Sequence, residues 1–517
     1  MPPANTPASN PGGKTFFGHP RGLSTLFFTE MWERFSFYGM RALLRVFVAT
    51  AAVQGGLGFA ESEAHSIYHI YLSLVYLVSV PGGWIADRFL GQRRSVMYGA
   101  AVIMLGHICL AVHSVPSFFA GLALVVIGTG LLKPNASTIV GQIYSPTDAR
   151  RDAGFSIFYM GINLGAFLGP LVCGWLAQDE GFRTRLSSWG IPPERAWQFA
   201  FGAAAVGMFF GLVQYMLGSS KLGDAGLAPS KTADPAGRAK DRRTLLVGLV
   251  LSIVAIGAIV AATATGALVL TVDLIDESFG IGLTVLSVAV FAWLFLKSDW
   301  TGDERRRLFV ITVLFLASCF FWSAFEQAGS TLNAFAKDNT SNSLFGFEFP
   351  STWFQSVNAL FIITLAPVIA WFWIRLGKRD PSHPGKFAWG LFFAGLGFLV
   401  LAPAAILAKD GARVSPMWLT AVYLCHTIGE LCLSPVGLSA FSKLAPARVA
   451  GMMMGVWFLS ISVGSYMGGR IAKAYVDFDK HELCLVIAGF TIVPAIVLAL
   501  CAKPIRRMIE ARSEGTR

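Results

Sequence analysis

The chain has 517 residues, of which 54% are hydrophobic and only 14% charged, and its mean hydropathy is +0.59. That composition excludes a water-soluble globular fold of this length and points to a polytopic membrane protein. A formal charge of +11 raises nucleic acid as a partner, but the distribution of the charges argues against it.

Taken in chain order, residues 1–20 open with MPPANTPASNPGGK, a polar, Pro/Gly-rich stretch that predicts a disordered tail and no cleavable signal. Apolar runs of roughly 20 residues, enough to cross a bilayer as a helix, then fall at about 22–53, 64–84, 95–113, 116–140, 153–177 and 196–218. The polar run GSSKLGDAGLAPSKTADPAGRAKDRR places a cytoplasmic linker at 219–242. Further runs follow at about 243–273, 279–297, 307–337, 351–376, 386–408, 415–443, 449–474 and 483–503, before a basic tail at 504–517. Fourteen long apolar runs exclude the short alternating strands of an outer-membrane barrel. The expected class is an all-α integral membrane protein: a six-helix bundle over 21–218, two inserted transmembrane helices over 243–298, and a second six-helix bundle over 299–503. Leu90-Gly91-Gln92-Arg93 and Leu376-Gly377-Lys378-Arg379 share a Leu-Gly-x-Arg pattern at the same place in each half, as a transporter built from repeats would show.

With the N-terminus inside, the cytoplasmic loops hold Arg88, Arg93, Arg94, Arg150, Arg151, Arg238, Lys240, Arg242, Arg243 and other bases, while the outside connections 54–63 and 272–278 carry only acids. The excess of base is therefore a topology signal that puts both termini in the cytoplasm. Arg183, Arg185 and Arg195 break the pattern. The seven cysteines lie in or beside apolar runs with no CxxC pair, which reads as small buried hydrophobes and offers no metal site.

The first apolar run contains EMWERFSFYGMR, Glu30 to Arg41. At 100° per residue, Glu30, Glu33, Arg34, Phe37, Tyr38 and Arg41 fall within an arc of roughly 140°. A lone charge at the bilayer centre costs on the order of 3 kcal/mol or more, so this face is expected to line a protein-walled or wet cavity. An internal ion pair between Glu30 and Arg34 could serve as helix glue, but four charges and a tyrosine exceed that need. Other runs carry Lys133 beside a proline, Glu326, and Glu430 between Gly429 and Pro435. His69 reads equally well as a core histidine.

These residues carry a resemblance. Glu30, Glu33, Arg34, Phe35, Tyr38 and Gly39 spell ExxERFxxYG, which resembles the first-helix signature of the proton-dependent oligopeptide transporter family, within the major facilitator superfamily. FYMGINLGAFLGP (Phe158, Tyr159, Ile162, Asn163, Gly165) is similar to its second signature, and GTGLLKPNAST, FEQAGS, WFQSVNAL and GELCLSPVGLSAF match further stretches, from about 18 to 475. The two inserted helices resemble bacterial members. Phe37 stands where the family usually has the first tyrosine of a pair, and Ala166 where it has serine; the first removes a hydroxyl from the expected peptide site.

The resemblance implies a proton-coupled symporter that imports di- and tripeptides across the bacterial inner membrane by alternating access. It implies no enzyme activity, no cofactor and no nucleic-acid partner, and a monomer in the lipid bilayer. A di- or tripeptide is a zwitterion with ends about 7–11 Å apart. Its carboxylate is expected on Arg34 and Lys133 and its ammonium on Glu430. Asn163, Asn358 and Ser434 supply hydrogen bonds, and Tyr38, Tyr76, Trp322 and Trp457 amphipathic walls. Proton coupling is expected at Glu30, Glu33, Arg34, Arg41, Glu326 and His69, with Arg41 and Glu326 as an extracellular gate contact. Asp87, Arg88, Arg93 and Arg94 resemble the superfamily's cytoplasmic gating loop. Transport of nitrate or another small anion or metabolite is the nearest alternative, but it has no use for Glu430. No HxxxxD, HExxH or GxSxG-like nucleophile site falls in a span, and no repeated filter loop suggests a channel.

Overall fold

A computed structural model describes residues 15–145, 147–229, 235–296 and 299–510. The expected tail up to residue 14, linker residues 230–234 and the basic tail beyond 510 lie outside the described residues. The described chain is helical almost throughout: α1 Gly22–Ala49, α2 Glu61–Ile85, α3 Gln92–Ala111, α4 Val115–Gln142, α5 Arg151–Gln178, α6 Glu180–Ser188, α7 Ala196–Gly218, α8 Pro235–Ala264, α9 Val272–Leu296, α10 Gly302–Phe325, α11 Thr331–Asp338, α12 Phe354–Leu376, α13 His383–Leu407, α14 Met417–Leu444, α15 Ala450–Lys473 and α16 Lys480–Glu510. A small hairpin, β1 Ser343–Leu344 with β2 Phe347–Glu348, is the described sheet. Helices satisfy their own backbone groups, which is what hydrocarbon demands.

Twelve helical segments among the described residues are long and apolar enough to cross a membrane, and the chain is a multi-pass membrane protein. Thirteen of the fourteen expected runs overlap a single long helix. The two outside the twelve are α1, which carries Glu30, Glu33, Arg34, Arg41 and Arg45, and the Gly/Ser-rich α15. The structure departs from the expected boundaries at three places. The run at 279–297 starts early, since α9 begins at Val272 and the expected outside connection 272–278 is its first two turns. The run at 307–337 is not one helix: α10 ends at Phe325, a 3-10 turn spans Glu326–Gly329, and α11 resumes at Thr331. The run at 243–273 is shifted, since α8 starts at Pro235, inside the expected linker, and stops at Ala264. Arg183, which broke the charge pattern, donates to the Ala177 carbonyl at 2.9 Å and so caps the end of α5.

The chain divides into two compact units, one of residues up to Tyr38, Val78–Ala166 and Phe201–Leu268, the other of Gly39–Leu77, Phe167–Ala200 and the chain from Val269 onward. In the first unit α3 and α4 cross closely because glycines face each other. A Cβ on Gly99 would stand 2.7 Å from the Gly128 carbonyl oxygen, and one on Gly121 2.7 Å from that of Gly106, the small-residue packing typical of membrane helices. Leu23, Val96, Ile103, Leu132, Met208 and Tyr215 form its core. In the second unit Leu314, Phe321, Phe387, Phe398, Phe441 and Trp457 pack α10, α13, α14 and α15 together. Ser73 of α2 and Ser462 of α15 each donate to the other's carbonyl, at 2.9 and 3.0 Å.

Candidate functional site

In the first unit the charged face of α1 closes into a compact cluster. Arg34 Nε donates to Glu30 Oε1 at 2.9 Å and stands 3.1 Å from Glu33 Oε2. The three side chains are 6%, 2% and 0% exposed, so these charges are buried within the protein. Neither Glu33 oxygen accepts a hydrogen bond among the described residues. The Arg34 guanidinium carbon lies 5.9 Å from the Phe37 ring centroid, so this position offers a ring face and no hydroxyl. Lys133, half-buried on α4 one residue before Pro134, is near enough for its charge to act on Glu33. Asn163 is buried on α5, and its amide donates to its own helix at the Tyr159 carbonyl, 2.9 Å away. Tyr38 is half-buried on α1.

Asp87, Arg88, Arg93 and Arg94, expected to form a cytoplasmic gating loop, also belong to this unit. Ala86–Leu90 is a π turn ending at Gly91, whose φ of 74° sits in the region glycine favours. Asp87 accepts from the Gln92 amide at 3.0 Å. Arg88 pairs with Asp241 of α8 at 2.6 Å. The Arg93 backbone N–H donates to the Gly226 carbonyl at 3.0 Å, and its guanidinium to the Gly223 carbonyl. Arg94 is exposed.

In the second unit Arg41 forms an ion pair with Glu326, the side chains 5% and 1% exposed. The Arg41 Nε donates to the Tyr68 hydroxyl at 2.7 Å. Glu326 begins the turn that interrupts α10 and α11, and Gly329 in the same turn leaves room for Tyr68: a Cβ there would meet the Tyr68 oxygen at 1.9 Å. His69, next along α2, shares a 2.9 Å hydrogen bond with Ser330 Oγ, which in turn donates to Gln327 Oε1 at 3.1 Å. Gly469 permits the close approach of its ring.

Glu430 is half-buried on α14 and accepts from the Asn358 amide of α12 at 3.1 Å, while the same amide donates to Thr427 Oγ1 at 3.0 Å. The charges of Glu326 and Arg41 both reach Glu430. Trp322, Trp457 and Tyr76 are buried, with the Trp322 indole N–H making no hydrogen bond among the described residues. Ser434 is half-buried one turn beyond Glu430. Thus the second unit brings Arg41 together with Glu326, and Asn358 with Glu430.

Three partners went unread in the sequence. Tyr68 holds Arg41 and has no signal beyond its place beside His69. Thr427 shares Asn358. Arg45, 1% exposed, pairs with Glu61 at 2.6 Å and donates to Asn333 at 3.3 Å; it extends the charged face of α1 by one turn past Arg41, and that spacing could have revealed it. Asp479, His481 and Glu482 also hold potential ligand atoms within 4.8 Å of one another, but Asp479 pairs with Lys409 on an exposed surface.

Comparison with known proteins agrees in one direction. The sequence model of the POT family matches residues 93–491. The chain is 39% identical to a peptide transporter of Yersinia enterocolitica, covering 98% of each protein. It is 36% identical to a di-/tripeptide transporter of Lactococcus lactis subsp. cremoris, covering 96% of this chain and 98% of that one. A crystal structure of a peptide transporter in complex with sulfate superposes with a TM-score of 0.88 at 43% identity, covering 96% of this chain and 97% of that one.

Proposed function

Because the chain belongs to the POT family, we propose that it is a proton-coupled symporter that imports di- and tripeptides across a bacterial inner membrane by alternating access, through fourteen spans with both termini cytoplasmic. The observation that carries this reading is the triple Glu30–Arg34–Glu33, buried on one helix of a multi-pass membrane protein. Structural glue would need one neutral pair, whereas this cluster keeps an extra carboxylate without hydrogen-bond donors. Such a group gains from carrying a proton whenever the neighbouring guanidinium is drawn elsewhere.

In this reading Arg34 and Lys133 take the peptide carboxylate through charge-assisted hydrogen bonds. That engagement withdraws Arg34 from Glu33, and Glu33 keeps its proton until the peptide leaves. Glu430, oriented by the Asn358 amide, takes the ammonium, with Asn163 and Ser434 hydrogen-bonding the peptide unit and Tyr38, Tyr76, Trp322 and Trp457 lining its sides. Arg41 and Glu326 form the extracellular gate contact. Breaking it leaves a buried carboxylate without its counter-charge, which a proton neutralises. The titrations are coupled, so the proton belongs to the set rather than to one glutamate. His69, hydrogen-bonded to Ser330, orients the turn that carries Glu326. Asp87, Arg88, Arg93 and Arg94 form the cytoplasmic gating loop. Ligands that read only the ends and backbone of a peptide tolerate many side chains.

The protein acts as a transporter and not as an enzyme, working as a monomer without cofactor or nucleic acid. The test is uptake of labelled dialanine into proteoliposomes under an inward proton gradient, beside labelled nitrate. Gradient-driven dialanine accumulation is expected; nitrate uptake without dialanine uptake would favour the anion alternative.

A further inference from the structure

Helix α8 is apolar, and its membrane-length stretch buries none of its residues against the rest of the protein. It adds nothing to the core of its unit, so acyl chains are its neighbours. Its entry reads Arg238-Ala239-Lys240-Asp241-Arg242-Arg243, four cations and one carboxylate immediately before the apolar stretch. At 100° per residue the cations fan over roughly 200° and Asp241 falls in the remaining gap. The structure sorts them accordingly. Arg238, Lys240, Arg242 and Arg243 are exposed, and their side chains make no ion pair or hydrogen bond among the described residues. Asp241 turns inward to Arg88 at 2.6 Å, its side chain 17% exposed.

Four unneutralised cations at the mouth of a lipid-exposed helix sit at the depth of phospholipid phosphates. Among the described residues of the collar, the one acid, Asp241, is engaged by Arg88 of the π turn between α2 and α3. The segment before α8 is tied to the same loop through its backbone: Gly226 accepts from the Arg93 N–H and Gly223 from its guanidinium. Tyr215 of α7 donates to the Arg93 carbonyl at 3.2 Å. A force on α8 therefore reaches Arg88 through a contact already in place.

We propose that the basic collar of α8 binds anionic phospholipid headgroups and that the Asp241–Arg88 pair passes its occupancy to the gating loop. The first half stands on the collar alone; the second rests on the transporter reading above. A lipid fits better than an acidic protein because the collar continues directly into the lipid-exposed helix, so headgroups and chains are met together. Each basic side chain near an anionic surface favours association by about fivefold.

The binding half is tested on full-length protein by native mass spectrometry, counting retained phosphatidylglycerol against phosphatidylcholine for wild type and for the combined Arg238→Gln, Lys240→Gln, Arg242→Gln, Arg243→Gln variant. Preferential phosphatidylglycerol retention, falling on the order of tenfold or more in the variant, is expected; equal retention overturns the lipid site. The coupling half is tested by dialanine uptake in phosphatidylcholine liposomes with and without phosphatidylglycerol. Wild type is expected to change rate severalfold with phosphatidylglycerol, and Asp241→Asn to retain the lipid yet lose the response. A response that survives Asp241→Asn overturns the coupling. Retention of phosphatidylglycerol by a protein that takes up neither peptide nor nitrate supports the lipid site and counts against the transporter reading instead.

Discussion

Arg41 and Glu326 lie 285 positions apart in sequence and form an ion pair whose side chains are 5% and 1% exposed. Removing one partner of a buried pair strands the other charge, at about 3–5 kcal/mol. Glu326→Ala is therefore expected to lower the thermal unfolding midpoint in detergent and to abolish gradient-driven uptake. Glu326→Gln, which keeps shape and one hydrogen-bond acceptor, should recover much of the stability and none of the coupling. A Gln variant that accumulates dialanine like wild type would remove Glu326 from the proton path.

Glu33 offers a sharper separation of coupling from binding. It is fully buried, 3.1 Å from Arg34, and accepts no hydrogen bond among the described residues, so a neutral amide of the same size costs the fold little. Glu33→Gln should lose proton-driven accumulation while counterflow exchange of dialanine continues. Measuring both on one liposome preparation decides it, and accumulation at the wild-type level would exclude Glu33 from the mechanism.

Much of this was legible because hydrocarbon makes a sequence unusually explicit. A charge in an apolar run has few bland explanations, so Glu30, Glu33, Arg34, Arg41 and Glu326 stand out in the sequence, and the Glu30–Arg34 pair that the i, i+4 spacing allows as helix glue does form, with Glu33 beside it. What stayed hidden depended on tertiary partners with no such penalty. Tyr68 looks like any interfacial tyrosine until Gly329 is seen to admit it. The break after Phe325 lies in an apolar run without proline, so nothing local announced it. Asp241 read as one charge of a polar linker, and only its 2.6 Å contact with Arg88 links the inserted helix to the loop.

Glu430 differs from the other carboxylates in being oriented by an amide, with Asn358 Nδ2 at 3.1 Å. In the proposed role it faces the peptide ammonium. Losing a charge-assisted hydrogen bond is worth about 1.5–3 kcal/mol, or roughly tenfold to a hundredfold in affinity. Glu430→Ala should weaken ordinary dipeptides by that factor in competition uptake and spare analogues that lack the amino group. Equal losses for both ligand sets would count against the assignment. Asn358→Ala should produce a smaller loss with the same selectivity, since it leaves the carboxylate in place but unaimed.

Gly329→Ala probes the proposed gate contact without touching a charge. The added methyl would stand 1.9 Å from the Tyr68 hydroxyl oxygen and 2.2 Å from its ring carbon Cζ, closer than any unstrained contact, so either the tyrosine or the turn Glu326–Gly329 must move. Tyr68 is the acceptor for Arg41 Nε at 2.7 Å, and Glu326 begins the same turn; either displacement disturbs the ion pair. Uptake under a proton gradient is expected to fall at least tenfold. The double variant Gly329→Ala with Tyr68→Phe removes the hydroxyl that the methyl strikes first and should regain part of the lost stability, seen as a raised unfolding midpoint, without regaining the Arg41 hydrogen bond. If Gly329→Ala alone transports at the wild-type rate, the close approach of Tyr68 is dispensable and the gate does not depend on it.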